Sequence, residues 1–308
     1  MTGNTPAAAG TGGPPDIRGT VWQAFERSVA QYAERDFLCI LPETADRYGI
    51  AAHTYSYEAA AREVSELRRR YEQAGLGHGH RAGLLLENRP AMFFHWLALN
   101  GLGVSVVPIN PEWRSAELEY LVSHSEIAVA VAPDSRGSDL TRAASAAGAR
   151  LIVTSPDLTQ LERVMRPIPQ PNVPPDAQTE CALLYTSGTT GRPKGCVLTN
   201  EYFLWAGTWY GALGGMCSVR PGAERLITPL PMSHMNAMAV STMAMLSSGG
   251  CIVPLDRFHP ATWWRSVHES RASIVHYLGV MPAMLLGAAP GAQDRGHALR
   301  FGFGAGVS

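Results

Sequence analysis

Tyr185-Thr-Ser-Gly-Thr-Thr-Gly-Arg-Pro-Lys-Gly195 follows directly on an apolar run, Cys181-Ala-Leu-Leu184, and no other stretch of the chain says as much. The apolar run reads as a buried strand. The eleven residues after it hold four hydroxyls (Thr186, Ser187, Thr189, Thr190), three glycines (Gly188, Gly191, Gly195) and Lys194. Glycine lets successive backbone N–H groups turn into one concavity, which suits an anion. The hydroxyls add donors without bulk, and Lys194 adds a mobile positive charge. A Gly/Ser/Thr surface turn is the plain alternative, but a strand leading into this density of donors is equipment for a polyphosphate. The spacing is not that of a Walker loop, because Gly195 follows the lysine where Ser or Thr would stand.

Working outward, strand and helix patterns alternate. Tyr57, Ala60, Val64, Leu67, Tyr71 and Ala74 recur at helical spacing, with Ser56 as N-cap and Gly75 as stop. Strands are expected at 82–86, 104–109, 128–132 and 151–154, with helices at 91–102, 116–125 and 140–148. Five prolines within 166–175 mark a linker. Beyond it a helix at 200–214 and strands near 226–228, 251–254 and 273–277 are expected, with helices at 237–246 and 260–270. Such alternation implies crossover units and a covered, mainly parallel sheet. The expected division is a disordered tail at 1–16, a first α/β subdomain at 17–165, a linker at 166–176 and a second subdomain at 177–308.

The 308 residues are 46% hydrophobic and 17% charged with a net charge of -1, enough for a large core. That balance gives no electrostatic case for nucleic acid or an anionic membrane as partner. Five scattered cysteines form no Cys-x-x-Cys pair and read as free thiols, and the ten histidines show no metal-ligand spacing. The Gly/Ala/Thr/Pro-rich N-terminus lacks the pattern of a signal peptide, and no apolar stretch is long enough for a membrane span. A soluble cytoplasmic protein is expected.

The loop resembles the phosphate-binding signature of the adenylate-forming superfamily, which includes acyl-CoA synthetases, luciferases and peptide-synthetase adenylation domains. Further blocks are similar to the acyl-CoA synthetase branch and stand in the family's order. These are Thr54-Tyr-Ser-Tyr57, Leu84-Leu-Leu-Glu-Asn88, Pro108-Ile-Asn-Pro-Glu-Trp-Arg114 with His124-Ser-Glu126, and Pro229-Leu-Pro-Met-Ser-His-Met235. The stretches 230–245 and 273–285 most resemble carnitine- and crotonobetaine-type CoA ligases. The resemblance implies the large N-terminal portion of an adenylating enzyme, two α/β subdomains of mainly parallel sheets flanked by helices. It implies ATP with Mg²⁺, a small-molecule carboxylate and coenzyme A as reactants, through an acyl-adenylate.

Residue by residue, the resemblance gives Thr186, Ser187, Gly188, Thr189, Thr190, Gly191 and Lys194 to the phosphates. It gives His234 to the substrate carboxylate, Gly279 and Val280 to the end of the acyl pocket, and Gly304-Ala305-Gly306 to the adenine. Met235 and Asn236 adjoin His234. Adenylation domains for amino acids carry an aspartate at the position of Asn236, and none occurs between Pro229 and Gly250, so a simple carboxylate is expected. Phe203, Trp205, Trp209 and Tyr210 are either tunnel lining or core, and Met232, Met235, Met238, Met243 and Met245 either a soft acyl surface or core. The family's later blocks, for Mg²⁺, the ribose and the catalytic lysine, are not within these residues, so thioester formation is expected to need more than this chain. A nucleotide-binding remnant and an enzyme that loads a carrier protein are the competing readings.

Overall fold

The computed structural model describes residues 17–186 and 192–306. The chain begins with helix α1 (Val21–Tyr32), where Thr20 and Gln23 form a reciprocal capping box. Strand β1 (Asp36–Ile40), helix α2 (Pro42–Tyr48) and strand β2 (His53–Ser56) follow, and Ser56 then caps α3 (Tyr57–Gln73) through Ala59 N–H. Next come β3 (Arg81–Leu84), α4 (Pro90–Asn100), β4 (Ser105–Pro108), α5 (Ser115–Ser125), β5 (Val129–Val131), α6 (Asp134–Ala146) and β6 (Ile152–Thr154). The remainder is β7 (Glu180–Thr186), β8 (Lys194–Thr199), α7 (Asn200–Gly211), β9 (Arg225–Thr228), α8 (Thr242–Ser248), β10 (Cys251–Pro254), α9 (Trp263–Ser270), β11 (Ile274–Leu278), α10 (Val280–Leu286) and β12 (Phe301–Ala305).

Two six-stranded sheets result, ordered β6-β5-β3-β4-β7-β8 (sheet I) and β12-β11-β9-β10-β1-β2 (sheet II). Every pairing is parallel except at one edge of each, where β8 and β2 run antiparallel. The chain therefore starts in sheet II, builds sheet I and returns. The proline-rich stretch does not separate the sheets: it joins β6 to β7 within sheet I. His78 holds it through Val173 O (2.7 Å) and His80 through Pro167 O (3.1 Å).

Alternation along the strands assigns side chains to layers. Leu184 enters the central core, while Leu183 and Tyr185 point into the outer one shared with Leu118, Leu121 and Leu140 of α5 and α6. The central core joins Leu84 and Val106 of sheet I to Leu226 and Ile252 of sheet II through α4, α7 and α8. A third cluster packs α9 and α10, through Trp263, Val267 and Met281, on the far face of sheet II. The order is helices, sheet, helices, sheet, helices. Helix α4 shows why its sequence is apolar all round: Met92 to Leu99 are all buried between the sheets. Each such side chain contributes about 1.5–3 kcal/mol of transfer free energy. Helices α7 and α8 touch closely at Gly207, where a Cβ would sit 2.8 Å from Met243 O.

Several expectations shift. Helix α6 starts at Asp134 rather than residue 140. The expected helix 237–246 is a π-helical turn, Asn236–Ser241, running into α8. No helix among the described residues is long and apolar enough to cross a membrane.

Candidate active site

In parallel sheets, ligands collect beyond the carboxyl ends of the strands, where loops from neighbouring strands converge. The candidate residues singled out from the sequence lie at or just beyond those ends. In sheet I, Thr186 ends β7 and Lys194 opens β8, and the two are paired in register across the antiparallel edge. The strand before the Gly/Ser/Thr-rich segment is thus paired with the strand after it as a hairpin. Ser187, Gly188, Thr189, Thr190 and Gly191 lie outside the described residues. Both Thr186 and Lys194 are exposed at the mouth.

The base of this hairpin is anchored on α5. The Tyr185 hydroxyl meets His124 Nδ1 at 2.6 Å, and its ring packs edge-on against Tyr120 at 6.3 Å. On the returning side the Arg192 guanidinium lies 5.7 Å over the same Tyr120 ring. Burial, helped by the neighbouring Tyr120 hydroxyl, pushes the Tyr185 phenol up to about 12, so it stays neutral and serves as an anchor.

In sheet II the order β12-β11-β9 brings three carboxyl ends side by side: the loop 229–235 after β9, Gly279 and Val280 after β11, and Gly306 after β12. His234 and Met235 are exposed on the first of these. His234 sits in a turn, its N–H bonded to Pro231 O and its carbonyl receiving Met238 N–H (3.0 and 3.1 Å). The π turn begins two residues on. It is held by side chains that reach back: Ser241 Oγ to Asn236 O (3.1 Å) and Thr242 Oγ1 to Ala237 O (2.8 Å). Such turns recur at functional sites because they re-aim the preceding residues. Beneath it His276 on β11 is fully buried between Ser241 Oγ (2.7 Å) and the Tyr210 hydroxyl (2.8 Å). Burial alone pushes this imidazole down to about 3, so it is neutral. All three groups are satisfied when His276 Nδ1–H donates to Ser241, Ser241 donates to Asn236 O and Tyr210 donates to His276 Nε2.

Ser233 Oγ and Asn236 Oδ1, on either side of His234 and Met235, are buried without a hydrogen-bond partner among the described residues. Such orphans are uncommon and suit a site that takes a polar ligand. At the end of β11, Leu278 (46% exposed) and Val280 (60%) present apolar surface.

Two candidate groups are redistributed. Phe203 and Tyr210 are core, while Trp205 and Trp209 are partly exposed, Trp209 meeting Phe303 at 5.8 Å. Met232, Met238, Met243 and Met245 are core, and Met235 is the exposed methionine of the set. The glycines of β12 also have a packing role. A Cβ on Gly304 would stand 2.3 Å from the Tyr277 ring, whereas Gly306, at φ +71°, has open space around its Cα. Gly304 makes room for an aromatic ring, and Gly306 is the free end.

The two carboxyl ends meet at Asn88, a residue to which sequence reasoning gave no role. From the end of β3 its Nδ2 donates to Leu230 O (3.0 Å) and Leu255 O (2.7 Å), and its Oδ1 accepts from Met232 N–H (2.8 Å). A cavity of about 390 Å³ opens here, lined by Asn88, Met232, Ser233 and the charged residues Arg47, Asp256 and Arg257. A larger cleft of about 960 Å³ lies at the opposite, amino ends of sheet I under the proline-rich strap. Its polar groups largely bond one another, as Arg81 does with Glu180 (2.7 Å) and His78 with Val173, so size does not make it the site.

A profile of the family described as "AMP-binding enzyme" matches residues 25–308. The chain is 28% identical over 276 residues to the sulfoacetate–CoA ligase of Cupriavidus necator, covering 88% of this chain and 51% of that protein. It is 27% identical over 265 residues to the crotonobetaine/carnitine–CoA ligase of Shigella flexneri, covering 82% and 50%. The chain spans about half the length of these curated relatives.

Among solved structures, ATP-bound MatB from Rhodopseudomonas palustris shares the fold at TM-score 0.67 and 20% identity, over 87% of this chain and 51% of that one. O-succinylbenzoate coenzyme A synthetase (MenE) from Bacillus subtilis, in complex with AMP, does so at TM-score 0.73 and 18% identity, over 94% and 68%. The N-terminal domain of FACL13 from Mycobacterium tuberculosis matches at TM-score 0.72 and 20% identity, over 88% and 65%. With a family profile matching nearly the whole of its length, the chain belongs to the AMP-binding enzyme family, in the fold of the N-terminal part of adenylate-forming enzymes.

Proposed function

We propose that this chain supplies the nucleotide and carboxylate sites of an AMP-forming carboxylate–CoA ligase acting on a small non-amino-acid carboxylate. A carboxylate oxygen attacks the α-phosphorus of ATP, forming the acyl-adenylate and releasing pyrophosphate. The thiol of coenzyme A then displaces AMP to give the thioester. Such chemistry depends on positioning and on neutralising charge spread over phosphate oxygens. Lys194 and the Thr186 hydroxyl at the hairpin mouth, with Ser187, Thr189, Thr190 and the Gly188 and Gly191 amides of the tip, hold the departing phosphates. His234 orients the incoming carboxylate through its ring N–H. Met235, Asn236, Gly279 and Val280 border the acyl group, and the 304–306 end of β12 receives the adenine.

Mg²⁺ accompanies the nucleotide phosphates. Among the described residues there is no cluster of three or more acidic, His or Cys side chains to hold it separately. The observation that carries the reading is that Lys194 stands opposite Thr186 at the carboxyl end of β7 in sheet I, the His234 loop stands at the carboxyl end of β9 in sheet II, and Asn88 bonds from the first sheet to that loop. The test is exchange of labelled pyrophosphate into ATP by this chain with a panel of small carboxylates, sulfoacetate and crotonobetaine among them. Carboxylate-dependent exchange supports the reading. ATP binding with no exchange on any carboxylate would leave a nucleotide-binding protein in its place.

A further inference from the structure

The turn that carries Asn88 is strained. Glu87 has φ +55°, in the left-handed region where a side chain with a Cβ is disfavoured. Conformations of this kind cost about 1–3 kcal/mol and persist where surrounding contacts over-determine them. Here the contacts are on the page. Glu87 is ion-paired with Arg89 (2.9 Å). Arg89 in turn donates to Tyr48 O (2.8 Å) and lies 4.4 Å over the Tyr48 ring. Asn88 N–H donates to the Tyr48 hydroxyl at 3.3 Å.

The outcome is that Asn88, 2% exposed, points out of its own sheet and spends its amide on the backbone of the other. Two of its three partners, Leu230 and Met232, belong to the loop that presents His234. The third, Leu255, ends the neighbouring strand β10. Among the described residues, no other side chain of sheet I bonds to the backbone of Leu230 or Met232.

We propose that Asn88 is a positioning residue for carboxylate activation: from sheet I it sets the place of the His234 loop on sheet II. The proposal rests on the reading of His234 as the carboxylate's partner. The chemistry restricts what can replace it. An aspartate keeps an acceptor for Met232 N–H but cannot donate to Leu230 O and Leu255 O, and sets its charge against two carbonyl oxygens. An alanine leaves all three backbone groups unpaired in a buried place, where each costs on the order of 1–3 kcal/mol.

The experiment compares the wild-type chain with Asn88→Ala and Asn88→Asp, first by amide hydrogen exchange in the absence of ligand. Exchange over residues 229–235 should speed up about tenfold or more, the equivalent of one lost buried hydrogen bond, while the amides of β5 and β6 keep their rates. Unchanged exchange over 229–235, or the same acceleration everywhere, would overturn the positioning role, because the second result is general destabilisation.

Pyrophosphate exchange then separates this proposal from the one it rests on. Asn88→Asp should raise the carboxylate KM about tenfold with the ATP KM within about twofold, the size of one misplaced polar contact. It should add little when placed on His234→Ala, because residues acting through one group are non-additive. Full additivity of the two substitutions would overturn it. If His234→Ala by itself leaves the carboxylate KM unmoved, the His234 reading fails, and the hydrogen-exchange result still decides whether Asn88 fixes the loop.

Discussion

Thr186 and Lys194 stand opposite each other across the antiparallel pair β7 and β8, which fixes the two strands of this hairpin in register. Tyr185 and Arg192 both meet the one ring of Tyr120. In the proposed function, a cation carried by a strand so braced meets phosphate charge without a large ordering cost, which is the advantage of preorganisation.

Lys194 is exposed and makes no ion pair among the described residues, so its removal should leave the fold alone. Lys194→Ala should weaken ATP binding by about tenfold to a hundredfold, the range for a lost hydrogen bond to a charged group, with the melting temperature within about a degree of wild type. Isothermal titration and a thermal melt check both. Unchanged ATP affinity in the folded variant would remove Lys194 from the phosphate site.

His234→Ala should act on the carboxylate and not on the nucleotide. The expected result is a carboxylate KM raised by about tenfold or more with the ATP KM within about twofold, since only ground-state and transition-state contacts to the acid are lost. Equal effects on both substrates would assign His234 to general support of the loop.

Acid should unfold the protein through its buried imidazoles. Burial holds His276 down to about 3 and His95 down to about 4, against 6.5 for the free side chain. The unfolded chain therefore binds protons that the folded one refuses. Stability from these groups is complete above 6.5 and is lost as the pH falls from 6.5 toward 4 and 3. Each contributes a slope of about 1.4 kcal/mol per pH unit in that window. Urea unfolding at pH 7, 6 and 5 should show the decline, and His276→Gln, less stable at neutral pH, should flatten it by roughly one such slope. An unaltered slope in that variant would contradict the assignment.

Gly304→Ala should destabilise by about 1–3 kcal/mol, the cost of overpacking, because the new methyl meets the Tyr277 ring. Adding Tyr277→Ala should relieve part of that cost, and a double-mutant cycle in thermal melts measures the coupling. Additive losses would mean that the glycine serves something other than the ring.

The alternation of strands and helices was legible because parallel strands buried on both faces leave short apolar runs, as at Val104–Ile109, and because Ser56 and Gly75 punctuate α3. What was missed follows from the same physics. Strand β8 is half-exposed and opens with Lys194-Gly195 straight after Arg192-Pro193, so no periodicity marks it, and its hairpin with β7 was not foreseen. Strands β1 and β2 are short, and β1 pairs with a strand some two hundred residues later (Leu38 with Ile252), a partnership no local window contains. The division expected at 166–176 followed composition, whereas sheet membership follows pairing. Of the proposed site, the loop, His234 and the glycines after β11 and β12 could be singled out by residue type and order. Asn88 could not, because a lone asparagine after an apolar run reads as a turn, and its three partners exist only once two sheets are side by side.

The proposed function requires the carboxyl ends of both sheets to share one nucleotide site. Hydrogen exchange of this chain with and without saturating Mg·ATP is the decisive measurement. Protection is expected on both sides of the hairpin mouth, at 184–186 and 194–196, together with the end of β12 at 303–306. Protection confined to one sheet, or at residues 78–81 and 166–179 around the larger cleft, would contradict it.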